Sequence, residues 1–420
     1  MESGKDLELS RLRAAPDGTF LAAIHSTGVP LMNKQTIDEL FAAMVAREGV
    51  SDLIFTVGKL PCVETHGVLQ EVPLASGALE RAHVDGLVEH IINGDTRLEK
   101  DLAEWGSCDC SYALKDIARF RVNIFKQNGL NALVMRKLPS EIPTIDKLGL
   151  APVFHEIIKE KNGIIFVTGA TGSGKTTTLA ALLNELNQTQ HIHIVTLEDP
   201  IEFKHPHRCA IFHQRELGKD FPDFARGLRA ALRQAPKAIL VGEIRDRQTM
   251  EIAMTASETG HVVFATLHTI NAGQSVNRIL GMFGKDEEQL LRQRLADTIR
   301  YIVSQRLVSK VGGGRLLLTE VMGSSLRTRE TLLYGESEGR TFQEIIEAGS
   351  TLGWHSFDQM LLKAYESDLI EEDTALIFCT HKHKMRRDID LIKKLRGGTF
   401  EAPSGLRMQD EIGMPMASIS

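Results

Sequence analysis

Residues 169–178, Gly169-Ala170-Thr171-Gly172-Ser173-Gly174-Lys175-Thr176-Thr177-Thr178, carry the most specific chemistry in the chain. A G-x-x-x-x-G-K-[ST] run lets backbone N–H groups converge on phosphate oxygens. Gly169, Gly172 and Gly174 lack a Cβ and can take positive φ, which permits that close approach. A helix opening near Lys175 adds the partial positive charge of its N-terminus. Lys175 is then placed to reach the β- and γ-phosphates, and the Thr176 hydroxyl to ligate Mg²⁺. The expected ligands are ATP and Mg²⁺.

Hydrolysis needs a group that readies water. Glu243 closes the apolar run 238–243, where a P-loop enzyme places a Mg²⁺ carboxylate or a water-orienting base, and it is the expected general base. Gly242 stands where many P-loop proteins carry Asp, which shifts metal coordination toward waters held by Glu198, Asp199 or Glu202. For each carboxylate a helix cap or a surface ion pair is the competing reading. His261 and His268 bracket the strand-like run between them. Their separation of seven puts the side chains on opposite faces, so they are not paired ligands of one metal. His268 reads as a γ-phosphate or interface sensor; for His261 a satisfied core histidine fits equally well. Residues 118–125 alternate strictly, with Arg119, Arg121 and Asn123 on one face. That face is either a solvated strand surface or a cationic edge offered to phosphate. Arg136 and Arg229 are further candidate arginines facing the nucleotide.

These residues need elements to hold them. Ile164–Thr168 is a β-branched run that feeds the glycine loop, and Leu179, Leu182, Leu183 and Leu186 continue from it at helical spacing. Strands are expected at 192–197, 238–243 and 261–268, with helices at 223–235 and 247–259. Such alternation predicts an α/β fold with a doubly wound sheet over 151–345, whose ligands bind at the carboxyl ends of the strands. Upstream, a helix at 36–47, strands at 51–57 and 69–73, a helix at 80–93 and paired strands at 109–114 and 118–125 predict a smaller α+β domain over 31–138. Residues 1–30 read as a loose extension, 139–150 as a proline-restricted linker, and 346–396 as helical with a capping box from Ser356 to Gln359. The run 381–396 reads as a solvated basic helix rather than a His metal site, and 397–420 as a disordered tail.

The chain has 420 residues, which favours two domains over one. A net charge of -6 and a pI near 6.2 argue against a protein that coats nucleic acid, and so against a RecA-type nucleic-acid motor. Five cysteines with no C-x-x-C pair point away from a zinc ribbon or disulfide framework and toward a reducing cytoplasm. No run approaches the ~20 apolar residues of a transmembrane helix, and no apolar signal core opens the chain.

Four ordered stretches carry a resemblance: Gly169–Leu179, Leu197-Glu-Asp-Pro-Ile-Glu-Phe203, Ile239-Leu-Val-Gly-Glu-Ile-Arg-Asp246 and Glu258–Thr269. They look like the Walker A, Asp box, Walker B and His box of the type II/IV secretion ATPases. Ser51-Asp-Leu, Arg119-Phe-Arg-Val-Asn123 and Ser304-Gln-Arg-Leu307 extend the likeness to the type IV pilus retraction ATPases, the PilT/PilU family. The resemblance implies a PAS-like N-terminal domain, a RecA-like ATPase core and a homo-hexamer with ATP between the two domains. It also implies that Arg119 and Arg121 face nucleotide, and that His261 and His268 take part. The partner it implies is an inner-membrane pilus platform protein, reached from the cytoplasm. Two departures make a PilU-like accessory role, beside a paralogous retraction ATPase, as good a reading as the primary one. Arg327-Thr-Arg-Glu-Thr331 replaces an Ala-Ile-Arg-Asn-Leu-type motif, with only Arg329 in register, and Lys237 stands where Asp is usual. Pilus-assembly or type II secretion ATPases, and a nucleotide switch with little turnover, are the alternatives.

Overall fold

The computed structural model describes residues 34–74 and 76–396. The readings made for 1–30 and 397–420 lie outside the described residues.

A helix at Lys34–Val45 opens the described chain, followed by β1 (Val50–Thr56), β2 (Cys62–Thr65) and β3 (Val68–Glu71). Helices at Arg81–Ile92 and Thr96–Glu104 lead to β4 (Ser107–Leu114), β5 (Ala118–Gln127) and β6 (Leu130–Leu138). The six strands form one antiparallel sheet in the order β3-β2-β1-β6-β5-β4. Its core follows from sequence spacing. Ile37, Leu40, Phe41 and Met44 share one helix face and are buried against Phe55, Phe120, Val122 and Ile124. Burial of each such side chain is worth roughly 1.5–3 kcal/mol. The alternation of β5 holds, so Arg119, Arg121 and Asn123 are turned to the face opposite Phe120, Val122 and Ile124. β5 and β6 are joined by Asn128-Gly129, both at positive φ, the Asn-Gly turn that matches the twist of a hairpin.

After a short helix at Val153–Ile157, the larger sheet begins with β7 (Gly163–Gly169), whose residues are all buried. It continues through the helix Lys175–Thr189, β8 (His193–Glu198), β9 (Ile211–Glu216), the helix Phe224–Ala231, β10 (Ala238–Val241), the helix Arg247–Glu258 and β11 (Val262–Leu267). Helices Ala272–Leu280 and Glu288–Thr298 precede β12 (Ile299–Ser309) and β13 (Arg315–Gly323). The order is β13-β12-β7-β11-β10-β8-β9, with β12 paired antiparallel to β13 and every other neighbour parallel. Successive residues of β7 enter different cores, as a strand's period of two requires. Ile165 and Val167 pack under Leu179, Leu182, Leu183 and Leu186, whereas Ile164 and Phe166 meet Met250, Ala253 and Leu295 on the other side. The fold is thus α/β, with a doubly wound sheet and a smaller antiparallel one.

Helices Phe357–Glu366, Glu372–Phe378 and Lys382–Leu395 cover the outer end of the large sheet. Arg306 of β12 anchors them, donating to the Phe378 carbonyl at 2.7 Å with its guanidinium 3.9 Å from the Phe357 ring centre. The basic run is less solvated than its composition suggests. Lys384, Lys393 and Arg396 pair with Glu347, Glu372 and Asp368. Among the described residues no group of three or more metal-ligating side chains converges, and no helix is long and apolar enough to cross a membrane.

Candidate functional site

Four parallel strands bring the candidate residues to one edge. β7 ends in the glycine loop, β8 ends at Glu198, β10 is followed by Gly242 and Glu243, and β11 by His268. Because β11 lies between β7 and β10, His268 emerges between the glycine loop and Glu243. The sheet's topology supplies this convergence. Residues far apart in sequence share an edge because their strands run parallel.

The loop has the backbone its glycines allow, with φ of 147° at Gly169, 77° at Gly172 and 91° at Gly174. At Gly169 a Cβ would lie 2.5 Å from Ser173 Oγ and 2.6 Å from the Gln305 carbonyl, so no larger residue fits. Lys175, the first residue of its helix, curls back and donates to the carbonyls of Gly169 (2.9 Å) and Ala170 (3.1 Å). Burial lowers its pKa, and the facing carboxylates of Glu243 and Glu202 oppose that shift. Gly242 also has a steric reason: a Cβ there would stand 2.9 Å from the Leu197 carbonyl, where β10 and β8 approach. An Asp at this position would not fit.

A cavity of about 400 Å³ opens beside the loop. Of the predicted residues, Thr171, Gly172, Lys175, Thr176, Glu198, Asp199, Glu202, Glu243, His268 and Arg121 line it. Ala170, Ser173 and Thr177 belong to the loop and its helix but not to the cavity wall, and the buried Ser173 hydroxyl has no partner among the described residues. Glu198 is the driest carboxylate of the site. Burial raises it to about 7, although Thr196 and Gln214 donate to its Oε1 at 2.5 and 3.0 Å. Asp199 and Glu202 are also raised, mainly by burial, with Arg121 pulling both the other way. Thr176 donates to Glu202, so the hydroxyl expected at a metal already faces a carboxylate. The set of Thr176, Asp199 and Glu202 is all oxygen, the donor chemistry that suits Mg²⁺.

Glu243 is held at both oxygens. Arg245 is 2.7 Å from Oε2 and His268 Nε2 is 3.3 Å from Oε1. Burial would raise its pKa, but Arg245 and His268 outweigh that and hold it below the usual carboxylate range. Arg245 was not among the sequence candidates. Its signal was present, since it follows Glu243 by two residues in the quoted motif, but nothing in the spacing says that the chain turns it back onto that carboxylate.

The remaining candidates separate. Arg119 crosses from the small sheet to donate to the carbonyls of Ile201 and Glu202, at 2.8 Å for the first. Ser111 adds a second bridge, 2.7 Å to Glu216. Arg136, by contrast, pairs within its own sheet with Asp52 at 2.9 Å and does not line the cavity. Arg229 is exposed on the helix Phe224–Ala231 and likewise stands outside it. His261 precedes β11 at the opposite edge of the sheet, roughly 20 Å of strand from His268. There its Nδ1 lies 2.8 Å from the Ala256 carbonyl, the satisfied histidine of the bland alternative.

The sequence pattern of the type II/IV secretion system protein family matches residues 106–325. The type IV pilus retraction ATPase PilT of Pseudomonas aeruginosa is 39% identical over 339 residues, 81% of this chain and 96% of that one. The type IV pilus ATPase PilU of the same organism is 33% identical over 354 residues, 84% of this chain and 91% of that one. A crystal structure of the pilus retraction motor PilT with bound ADP superposes with a TM-score of 0.76 at 35% identity, covering 84% of this chain and 99% of that one. With a matched family pattern over half its length and a relative aligned nearly end to end, the chain belongs to the type II/IV secretion ATPases.

Proposed function

We propose that the chain is a motor that spends ATP on retraction of a type IV pilus. The observation that carries this reading is the facing of Lys175 and Thr176 by Glu243 across one cavity, in a chain aligned over 96% of a pilus retraction ATPase. In this mechanism the amides of the glycine loop receive the phosphates of ATP, and Lys175 exchanges its loop carbonyls for phosphate oxygens. Thr176, with Asp199 and Glu202 behind it, would hold Mg²⁺, which when bound neutralises phosphate charge. Glu243 orients the attacking water and accepts its proton as the water oxygen bonds to the terminal phosphorus and the bond from that phosphorus to the bridging oxygen breaks, ADP leaving with the electron pair. Arg121, and Arg119 beside it, bring positive charge from β5.

The mechanical reading follows from the same contacts. Units of 31–138, PAS-like, and 151–345, RecA-like, move about the 139–150 linker within a homo-hexamer. Arg119 ties the small sheet to the segment carrying Glu202, so a change at Thr176 is transmitted across the domain boundary. The ring works on an inner-membrane platform protein from the cytoplasmic side. A PilU-like accessory role beside a paralogous ATPase is the second reading, favoured by Lys237 and the Arg327–Thr331 stretch. The test is complementation of a deletion strain with the wild type or with Lys175→Ala. Cells carrying the variant should keep surface pili but lose twitching. Cells without pili would replace retraction by assembly.

A further inference from the structure

Both carboxylate oxygens of Glu243 are engaged, one by Arg245 at 2.7 Å and one by His268 at 3.3 Å. Each oxygen keeps a second acceptor site for water, but a charge-assisted partner on Oε2 draws on the carboxylate and weakens it as a base. Release of that partner restores its basicity. The Arg245 side chain is 71% exposed, against 19% for Glu243, so the arginine is free to swing while the carboxylate stays in place. Arg245 also lines the same cavity as Lys175 and Thr176, with Asp199 as a second nearby anion.

Resting on the ATPase reading above, we propose that Arg245 is an exchange switch: it holds Glu243 in the empty site and passes to the terminal phosphate when a nucleoside triphosphate binds. A guanidinium presents a planar fork of donors, and a terminal phosphate offers more charge and more acceptor oxygens than a single carboxylate. The nucleotide therefore wins the competition, and Glu243 Oε2 is freed to receive water. In this switch the competing ligand is the terminal phosphate of the triphosphate, which a diphosphate lacks. A diphosphate leaves Arg245 on Glu243, and the base stays occupied after product forms. The same side chain thus ties activation of the base to the presence of the bond to be cut. His268 remains on Oε1 throughout and keeps the carboxylate oriented.

The test compares Arg245→Ala and Arg245→Lys with the wild type in the full-length assembled protein, measuring magnesium-dependent phosphate release and the affinities for ADP and for a non-hydrolysable ATP analogue. Removal of an arginine that meets a transferring phosphoryl group should lower kcat by roughly tenfold or more. The preference for the ATP analogue over ADP should collapse toward unity while ADP affinity stays within about twofold, because ADP never draws the arginine off Glu243. Arg245→Lys keeps the charge without the fork and should fall between the two in kcat, again with ADP affinity intact. A variant with wild-type or faster turnover would overturn the proposal, since the arginine would then be a brake alone. Parallel loss of ADP affinity in both variants would also overturn it, since the residue would then shape the site as a whole. Failure of the wild type itself to hydrolyse ATP would instead sink the ATPase reading.

Discussion

The two sheets handle charge in opposite ways. In the seven-stranded sheet, carboxylates sit at or inside the strand ends with little solvent. Glu198 is 7% exposed and Glu320 of β13 6%, and burial raises both to about 7, whereas at the equally buried Glu216 of β9 burial is outweighed by Lys219 at 2.8 Å and the pKa is lowered. Among the described residues, the one buried carboxylate of the six-stranded sheet, Asp52, has an arginine directly across the strand pair at Arg136. The difference follows from topology. Parallel strands line up their carboxyl ends, so a single edge collects functional groups that have to be kept dry and close. Antiparallel strands put neighbouring side chains opposite one another, so a charge finds its partner across the ladder. Chemistry accumulates on the first sheet and structure on the second, with β5 as the exception that sends Arg119 and Arg121 outward.

The sharpest way to break this comparison is at Glu243. Glu243→Gln keeps the size and the contact to His268 but cannot accept a proton from water. Positioned proton transfer typically contributes ~10²–10⁴-fold. Phosphate release should fall by that factor while ATP affinity, measured by equilibrium binding, is retained or rises, since Arg245 loses the charged carboxylate that competes for it. Undiminished steady-state hydrolysis would remove Glu243 from the mechanism and leave the edge of the large sheet a binding site only.

A smaller effect probes dryness directly. Glu320 accepts the Ala272 amide at 3.1 Å, and its pKa is raised from 4.5 to about 7 chiefly by burial. The folded state therefore holds this proton more tightly than the unfolded chain. That stabilisation is fully present below pH 4.5, the unfolded value, and is lost as pH rises through about 7. Glu320→Gln can still accept the amide but does not titrate. In urea unfolding its stability relative to wild type should improve by on the order of 3 kcal/mol between pH 4.5 and 8. A gap that does not move with pH would mean that the carboxylate is hydrated, and the contrast between the sheets would fail.

Legibility followed local pattern rather than the division between the sheets. The glycine loop, Glu243 and the strands leading to them are local patterns with a fixed order, so the strands expected at 238–243 and 261–268 lie within one or two residues of β10 and β11. The doubly wound fold followed from that alternation. What escaped was whatever depends on a partner. β6 is not legible as a strand although Asn128-Gly129 marks its hairpin, because Leu130–Leu138 mixes polar and apolar residues without strict alternation. β12 and β13 carry only short apolar runs broken by polar residues, which sequence alone does not assign to strand or helix. Arg119, Arg121 and Arg136 look alike in a linear reading, yet one grips a neighbouring domain's carbonyls, one lines the cavity and one serves Asp52. Side-chain type limits what a residue can do, and only the three-dimensional neighbours choose among the options.

Arg136 gives the mildest test and the one most specific to the small sheet. Asp52 is 5% exposed, and Arg136 Nε reaches it at 2.9 Å from the residue paired with it across β1 and β6. Arg136 itself is 71% exposed, so solvent screens its end of the pair. Arg136→Ala leaves a buried carboxylate without its cationic partner, and about 1 kcal/mol of stability should go with it. ATP turnover at a temperature where both proteins are folded should stay within about twofold, since the residue stands outside the cavity. Added salt should narrow the stability gap, because part of the lost attraction was already screened. A steep fall in turnover with unchanged stability would reverse the assignment. It would return Arg136 to the nucleotide, and the antiparallel sheet would no longer be the scaffold against which the parallel one is measured.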